Sequence, residues 1–320
     1  MSELVNLTET LIRKSNLAPI ETPCFVDNPT LAAVITKTAS SQTYYTIRFL
    51  VDRPLILDAY RAYAYFRWVD DMLDEQLPGN AERVAFLKRQ QDLIDCSYNN
   101  QRLDPLSAEE SILADLIHRN PQPSTGLEQY IRNMMAVMTF DAGRRGRLIS
   151  AQELNNYTRH LAVAVTEALH FFIGHDTPSP RTPNRYLAVT GAHITHMLRD
   201  TVEDTAAGYF NIPCEFLEAH QLNPCDIKSP EYMEWVKHRV QLAKECFKSG
   251  KSDVARVKNW RCRIAGYAYT SRFEQVLNLI EKDKYQLRPD YSERKSFHSA
   301  LRMSSSILSM MLKDFIGDQS

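Results

Sequence analysis

Several features that mark common protein classes are scarce in this chain. Glycine accounts for only 10 of the 320 residues, which disfavours a turn-rich β architecture. The six cysteines are scattered and form no C-x-x-C pair, so neither a zinc site nor a disulfide framework is expected, and a reducing compartment fits best. Residues 1–16 lack the uninterrupted apolar core of a signal peptide. No apolar run approaches the roughly 20 residues that a membrane-spanning helix needs.

An excess of charge of either sign is also missing. The 38 Lys and Arg residues nearly balance the 39 Asp and Glu residues, which gives a formal net charge of −1 and a pI near 6.8. No overall field therefore draws the chain to nucleic acid, and an anionic ligand would have to be held by local charge. We expect a cytoplasmic protein with no nucleic-acid partner and no transmembrane anchor. Peripheral contact with a membrane and the oligomeric state stay open.

What the chain does contain favours helices. Hydrophobic residues make up 44% of it, and Leu, Ala, Arg, Glu and Gln are plentiful, which predicts an all-α protein. Apolar residues recur at helical spacing over residues 41–75, and Pro54 marks a break between two helices. Ser150 and Glu153 fit the S-x-x-E capping box, which predicts a helix that runs to about Ile173.

The chain offers no strong domain boundary. The proline-rich stretch 177–183 is the best linker signal, but it is short and another predicted helix follows it at once. We interpret it as a loop. The prediction is a single all-α domain over residues 1–320, in which residues 1–30 form a partly ordered N-terminal segment.

Two short acidic clusters are the most informative feature of the sequence. Each places carboxylates four residues apart in a segment that reads as helix, so each can aim two of them at one point. A solvated helix end is the plainer interpretation of either cluster alone. The apolar residues that precede both clusters count against it. We therefore predict that both clusters face one helical cavity and bind cations there, through Asp70, Asp71, Asp74, Asp200, Glu203 and Asp204.

The acidic clusters indicate magnesium and a diphosphate. Buried carboxylates at this density would repel one another unless cations joined them. Magnesium prefers oxygen ligands and is commonly held by one or two carboxylates together with substrate phosphates. Arg67 and Arg199 stand beside the clusters and could hold the same anion, although a salt bridge to the neighbouring Asp is nearly as good an interpretation.

Such a set suits the departure of a diphosphate from an allylic carbon, which leaves a carbocation. A carbocation must be shielded from water, and aromatic faces can stabilise it. Aromatic residues near the clusters could form these walls, although each alone is more often an ordinary core residue: Tyr44, Tyr45, Tyr63, Phe66, Tyr157, Phe171 and Phe172.

At this point the sequence resembles the squalene/phytoene synthase family of head-to-head prenyl transferases, over nearly the whole chain. Residues 41–45, S-Q-T-Y-Y, look like the family's opening S-x-[ST]-F-Y segment. Residues 63–74, Y-A-Y-F-R-W-V-D-D-M-L-D, look like its first aspartate motif, Y-A-F-C-R-x-x-D-D-x-x-D. Residues 198–204, L-R-D-T-V-E-D, are similar to the second, L-R-D-x-x-E-D. Residues 153–162 fall where the family has its Y-x-x-x-V-A-G-x-V-G helix, and residues 269–285 resemble its closing helix.

The resemblance implies an all-α isoprenoid synthase bundle around a central cavity. It gives magnesium-binding roles to four carboxylates, Asp70, Asp74, Asp200 and Asp204. It also puts Arg67 and Ser41 near the diphosphate and Tyr157 in the cavity. The candidate catalytic residues are Arg67, Tyr157, His196 and Arg199. The candidate substrate-binding residues are Ser41, Tyr44, Tyr63, Phe66, Val163 and Thr166.

The chain departs from the family pattern in three places. Val163 and Thr166 replace the two glycines of V-A-G-x-V-G and add volume to a helix that should line the prenyl cavity. The Q-x-x-N before the second motif appears as His193 and His196, of which His196 could be a hydrogen-bond donor, a metal ligand, a proton acceptor or a packed core residue. The G-R-x-Y-x-P after that motif appears as G-Y-F-N-I-P over residues 208–213, so its arginine is missing.

Three functions follow from this pattern. The first is magnesium-dependent 1′–1 condensation of two farnesyl or geranylgeranyl diphosphates through a cyclopropyl intermediate. The second is a terpene synthase that ionises a single prenyl diphosphate and cyclises or hydrolyses it, which the bulkier cavity residues would suit. The third is a non-catalytic member that acts as a binding or assembly factor. NADPH is left open by the resemblance, although no Rossmann G-x-G-x-x-G supports it.

Overall fold

The structure is a computed structural model that describes residues 28–77, 79–101, 103–122, 125–175 and 182–291. Most of the predicted N-terminal segment 1–30, and all but the last two residues of the proline-rich loop 177–183, lie outside the described residues. The prediction of an all-α protein is confirmed: the described part contains eleven α-helices and no strand longer than an isolated bridge. None of these helices is long and apolar enough to cross a membrane.

The helices follow one another with short connections. Their bounds are α1 Asn28–Ala39, α2 Ser41–Leu50, α3 Ile56–Asp71, α4 Asn80–Tyr98, α5 Ala108–Arg119, α6 Gly126–Arg144, α7 Ala151–Phe172, α8 Leu187–Ala206, α9 Cys214–His220, α10 Pro230–Ala255 and α11 Trp260–Lys282.

Local sequence signals fix several of these ends. Pro54 lies in the 3-10 turn Arg53–Leu55 between α2 and α3, so the predicted break is confirmed. The Ser150 hydroxyl accepts a hydrogen bond from the Glu153 backbone N–H at 3.2 Å, and the Glu153 carboxylate accepts one from the Ser150 N–H at 2.8 Å. This reciprocal pair satisfies two helix-end donors, as the capping box predicted for α7.

By its internal contacts the chain forms two compact units, Met1–Ile131 and Arg132–Ser320, and the boundary falls within α6. In the first unit α3 packs against α1 and α5, and α4 packs against α5. Tyr65 of α3 is fully buried and donates a hydrogen bond from its hydroxyl to the Gln90 amide oxygen at 3.0 Å. The prediction of a single domain stays a prediction.

In the second unit α8 is the central helix, against which α7, α10 and α11 pack. A Cβ atom on Gly250 of α10 would lie 2.4 Å from the backbone nitrogen of Ala188. Only glycine therefore allows α10 to approach α8 this closely. Because α8 carries the second acidic cluster, this packing fixes the helix on which that cluster stands.

Candidate active site

The first acidic cluster crosses the end of α3. α3 ends at Asp71, within the cluster, and Met72–Gln76 forms a π-helical turn, so the α-helical spacing expected between Asp70 and Asp74 is replaced by a wider one. The Leu77 N–H donates to the Met72 carbonyl at 3.0 Å, five residues back, so the turn is wider than an α-turn. Asp74 therefore follows Asp70 around a π turn.

Asp70 and Asp74 still act on each other. Burial, followed by the charge of Asp74, raises the pKa of Asp70 to about 7, and Arg67 opposes this only in part. The Asp70 side chain is 13% exposed, whereas Asp74 is exposed. A buried carboxylate next to another carboxylate is a group that a cation would stabilise.

Arg67 is paired mainly with Asp71. Its Nε donates to Asp71 Oδ2 at 3.1 Å, and its Nη2 forms a short contact with Asp71 Oδ1. The Nη1 atom lies at the longer distance of 3.4 Å from Asp70 Oδ2. Asp71 thus contacts a guanidinium within its own motif, and Asp70 keeps most of its capacity to accept further contacts.

The predicted substrate residues of the first unit have different surroundings. Ser41 is exposed at the start of α2. The Tyr44 ring stacks on Tyr60 with centroids 5.1 Å apart. Burial raises the pKa of the half-buried Tyr63. Phe66 is buried and packs edge-on against Tyr130 at 5.3 Å, as an ordinary core residue would.

The second acidic cluster lies within α8, as predicted. Arg199 holds Asp200 with two parallel hydrogen bonds, Nε to Oδ1 and Nη2 to Oδ2, both 2.6 Å long, and both residues are buried. The His196 Nε2 lies 3.3 Å from Asp200 Oδ2. Burial and the nearby cations, Arg199 among them, lower the pKa of His196 well below its usual value. A neutral imidazole at this distance fits the hydrogen-bond donor role.

Asp204 is the carboxylate of this cluster whose pKa is raised. Burial and the charge of Asp200 raise it to about 6, while the hydrogen bond from Asn211 and the charge of Arg144 lower it. The Asn211 amide nitrogen donates to Asp204 Oδ2 at 2.8 Å. Glu203 is exposed. The pair of buried or half-buried carboxylates in α8 is therefore Asp200 and Asp204.

Sequence reasoning missed a buried arginine beside Asp204. Arg144, the last residue of α6, donates from Nε to Asp141 Oδ1 at 2.7 Å and from Nη1 to Asn211 Oδ1 at 2.9 Å. Its guanidinium lies over three aromatic rings, 5.1 Å from Tyr157, 5.1 Å from Tyr209 and 5.8 Å from Phe140. Arg144 matches no part of either motif, and 67 residues separate it from Asn211, so no local pattern pointed to it.

Tyr157 is buried in the same network. Its hydroxyl donates to Asp141 Oδ2 at 2.8 Å, and its ring meets His193 edge-on with centroids 4.7 Å apart. Burial raises the pKa of Tyr157 well above its usual value, so the hydroxyl stays protonated. One face of the ring lies against Arg144; a role for Tyr157 as a carbocation wall stays a prediction.

The two residues that replace the family's glycines lie further along α7. Val163 is half-buried and Thr166 is buried. The Thr166 hydroxyl makes no hydrogen bond with the described residues. That these two side chains narrow a prenyl cavity stays a prediction.

Two loops of the second unit are joined where the network lies. The Gly146 N–H, just after α6, donates to the Gly208 carbonyl, just after α8, at 2.7 Å. Further along, Ile149 and Pro213 form a parallel bridge, and the Cys214 N–H donates to the Ile149 carbonyl at 2.8 Å. Gly208 has φ +87°, a conformation that glycine adopts without steric cost. This backbone pairing brings Arg144 next to Asn211.

The donor set of each motif suits magnesium. Within the described ranges no three His, Cys, Asp or Glu side chains converge on one point. Each motif instead supplies two carboxylates with hard oxygen atoms, and in each pair one member has a raised pKa. Magnesium keeps several waters and takes one or two carboxylates together with substrate phosphates. The two carboxylates of each motif fit this number.

Comparisons with known proteins cover most of the chain. A search of curated protein sequences found no significant match. Among solved structures, a squalene synthase HpnC from Alicyclobacillus acidocaldarius matches with a TM-score of 0.65 at 17% identity, over 82% of this chain and 95% of that one. A dehydrosqualene synthase in complex with ligand matches with a TM-score of 0.67 at 15% identity, over 89% of this chain and 97% of that one. At these low identities, the structural similarity shows a shared all-α fold. The family model for squalene/phytoene synthase matches residues 36–302, so the chain belongs to the squalene/phytoene synthase family of prenyltransferases.

Proposed function

We propose that this protein joins two prenyl diphosphates head to head in a magnesium-dependent reaction that releases diphosphate. Farnesyl and geranylgeranyl diphosphate are the substrates to consider. The observation that carries the proposal is the pair of aspartate motifs, in each of which a carboxylate with a raised pKa lies beside a second carboxylate and a guanidinium. Such pairs are costly in a folded protein unless a cation and an anion join them.

Asp70 with Asp74, and Asp200 with Asp204, would hold the metal. Bound there, magnesium would neutralise the diphosphate and stabilise it as a leaving group. Arg67 holds Asp71 and Arg199 holds Asp200, and these pairs orient the carboxylates of each motif. When the allylic C–O bond breaks, its electron pair leaves with the diphosphate. The double bond of the second prenyl diphosphate then attacks the allylic cation, and loss of a proton closes a cyclopropane ring on a product that still carries one diphosphate.

The test is a product assay with defined substrates. Purified protein is incubated with farnesyl or geranylgeranyl diphosphate, with magnesium or with EDTA, and the products are identified by mass spectrometry. We expect a product with twice the carbon count of the substrate, formed only with magnesium. A cyclic or hydrolysed product that keeps the substrate's carbon count would establish the terpene synthase instead. No product with either substrate would contradict the proposal.

Variants locate the chemistry at the motifs. Asp70→Asn and Asp200→Asn remove one carboxylate from each motif, and loss of a metal ligand typically lowers activity by more than about 100-fold. The matched control is Asp115→Asn, which changes an exposed aspartate of α5 and should leave the rate unchanged. Full activity in both motif variants would reject the assignment of these carboxylates as metal ligands.

A further inference from the structure

The loop after α8 departs from the family pattern at the two residues that contact Arg144. The pattern G-R-x-Y-x-P reads here as Gly208, Tyr209, Phe210, Asn211, Ile212 and Pro213, with Tyr209 at the arginine position and Asn211 at the tyrosine position. The Tyr209 ring lies 5.1 Å from the Arg144 guanidinium, and the Asn211 amide oxygen accepts a hydrogen bond from Arg144 Nη1 at 2.9 Å. The residues at the two positions that differ from the family pattern therefore both contact the guanidinium of Arg144, which belongs to α6.

We propose that Arg144 takes the place of the arginine that is missing after the second aspartate motif. The positive charge that the family pattern puts on the loop would then come from the C-terminal end of α6. This inference rests on the proposed function, because it gives Arg144 a part in holding Asp204 ready for magnesium.

Arg144 acts as a positioning residue through a chain of hydrogen bonds. Its Nη1 fixes the Asn211 oxygen, so that the Asn211 nitrogen points to Asp204 Oδ2, 2.8 Å away. Its Nε fixes one oxygen of Asp141, whose other oxygen accepts the Tyr157 hydroxyl at 2.8 Å. One guanidinium thus sets the orientation of both the second motif and Tyr157.

The surroundings of Arg144 explain why the site needs a guanidinium. The residue is 6% exposed, and its planar group lies among the rings of Phe140, Tyr157 and Tyr209. A planar guanidinium both stacks on rings and donates several hydrogen bonds in fixed directions, which an ammonium group does not. Glutamine at this position would keep some donors but remove the charge.

The first experiment compares Arg144→Gln with Arg147→Gln. Arg147 is a matched control in the same arginine-rich stretch, since its side chain is 47% exposed and pairs with the partly exposed Glu153. In the presence of prenyl diphosphate, Arg144→Gln should raise the magnesium concentration needed for half-maximal rate about 10- to 100-fold, the usual effect of losing a residue that orients a metal ligand. In thermal-shift measurements without substrate, magnesium with inorganic pyrophosphate should stabilise the control and fail to stabilise Arg144→Gln at the same concentrations.

The second experiment returns the arginine to the position that the family pattern gives it. Tyr209→Arg is added to Arg144→Gln. The new arginine puts a guanidinium on the loop, next to the position that the Arg144 guanidinium occupies in the wild type. We expect the double variant to recover at least about 10-fold of the lost magnesium affinity. Arg144→Lys should recover less, because it restores the charge without the paired hydrogen bonds.

The outcomes separate this inference from the proposed function. An inactive wild-type protein would overturn the proposed function. An active wild type with an unchanged magnesium requirement in a folded Arg144→Gln variant would overturn the inference alone. If Arg144→Gln does not fold, the double variant decides: recovery of folding and magnesium affinity supports the relocated arginine, and failure to recover either overturns it.

Discussion

At the scale of single residues, local spacing predicted the acidic pairs and their arginine neighbours in sequence, but not the contacts of Arg144. The four-residue spacing identifies Asp70, Asp74, Asp200 and Asp204, because that spacing is a local property of the chain. Arg144 contacts Asn211, from which it is separated by 67 residues, and no periodicity relates two positions so far apart. The ion pairs of Arg67 and Arg199 were foreseen as an alternative to anion binding.

Replacing Asp70 with Asn should stabilise the metal-free protein while abolishing its activity. Folding raises the pKa of Asp70 from 3.8 to about 7, so the folded state holds the proton more tightly than the unfolded state does. Stability is therefore lost as pH rises from about 4 to about 7, and the loss persists above pH 7. Asn does not ionise and avoids this loss, for a gain of up to about 4 kcal/mol at pH 8 that vanishes toward pH 4.

The measurement is urea unfolding of wild type and Asp70→Asn in EDTA at several pH values. Asp115→Asn serves as control, since it changes an exposed aspartate and should show no such pH-dependent gap. A variant that is less stable than wild type at pH 8 would show that the hydrogen bond to Arg67 outweighs the cost of the buried charge.

Asn211 should influence the acid limb of the activity profile, which Asp70, with a pKa of about 7, and Asp204 both shape. Burial and the charge of Asp200 raise the pKa of Asp204, and the hydrogen bond from Asn211 is one of the contacts that lower it again, to about 6. Because the ionised form binds a cation, Asn211→Ala should move the acid limb of the pH–rate profile to higher pH. The profile of kcat/KM at a fixed magnesium concentration below saturation reports this shift. Asn223→Ala, which changes an exposed residue of the loop before α10, is the control; an unmoved limb in Asn211→Ala would exclude Asp204 as a group that shapes the limb.

At the scale of elements, capping residues and prolines located helix ends well, and the details between them less well. Ser150 with Glu153 predicted the start of α7 because the reciprocal hydrogen bonds need only residues four positions apart or fewer. The π turn after Asp71 carries no comparable signal in its sequence. The pairing of the loops after α6 and α8 also depends on packing between distant segments, which helical periodicity does not report.

Replacing the left-handed Gly208, in the loop after α8, should destabilise the protein more than replacing Gly143 of α6. Gly208→Ala puts a side chain on a residue with φ +87°, which should cost about 1–2 kcal/mol and weaken the hydrogen bond with Gly146. In Gly143→Ala the new Cβ would find no atom within 4 Å, so this control should gain a few tenths to about 1 kcal/mol from helix propensity. Melting temperatures of both variants test the contrast, and equal effects would contradict it.

At the scale of the whole molecule, composition predicted the fold class because helix-forming residues act additively along the chain. It gave no sign of the two compact units, whose boundary falls inside α6 with no proline- or glycine-rich linker. The family model nevertheless spans residues 36–302, which includes parts of both units. The single-domain prediction therefore stays a prediction.

That prediction can be tested through tryptophan fluorescence. Trp68 reports on the first unit, where its ring contacts Phe86 with centroids 5.3 Å apart. Trp235 reports on the second, where it is 8% exposed and contacts Tyr232 at 5.5 Å. Trp260 is 56% exposed and is replaced by Phe in both reporter variants, Trp235→Phe/Trp260→Phe and Trp68→Phe/Trp260→Phe.

If the chain is one domain, each reporter should unfold in urea together with the helices. In each variant the fluorescence midpoint should agree with the far-ultraviolet circular dichroism midpoint within about 0.3 M, a difference below about 1 kcal/mol for ordinary denaturant slopes. Comparing two probes in the same variant removes any effect of the substitutions on stability. A chain of this length can populate intermediates, so the agreement is a demanding requirement. If Trp68 and Trp235 each separate from the circular dichroism transition in opposite directions, the two units unfold independently and the protein has two domains.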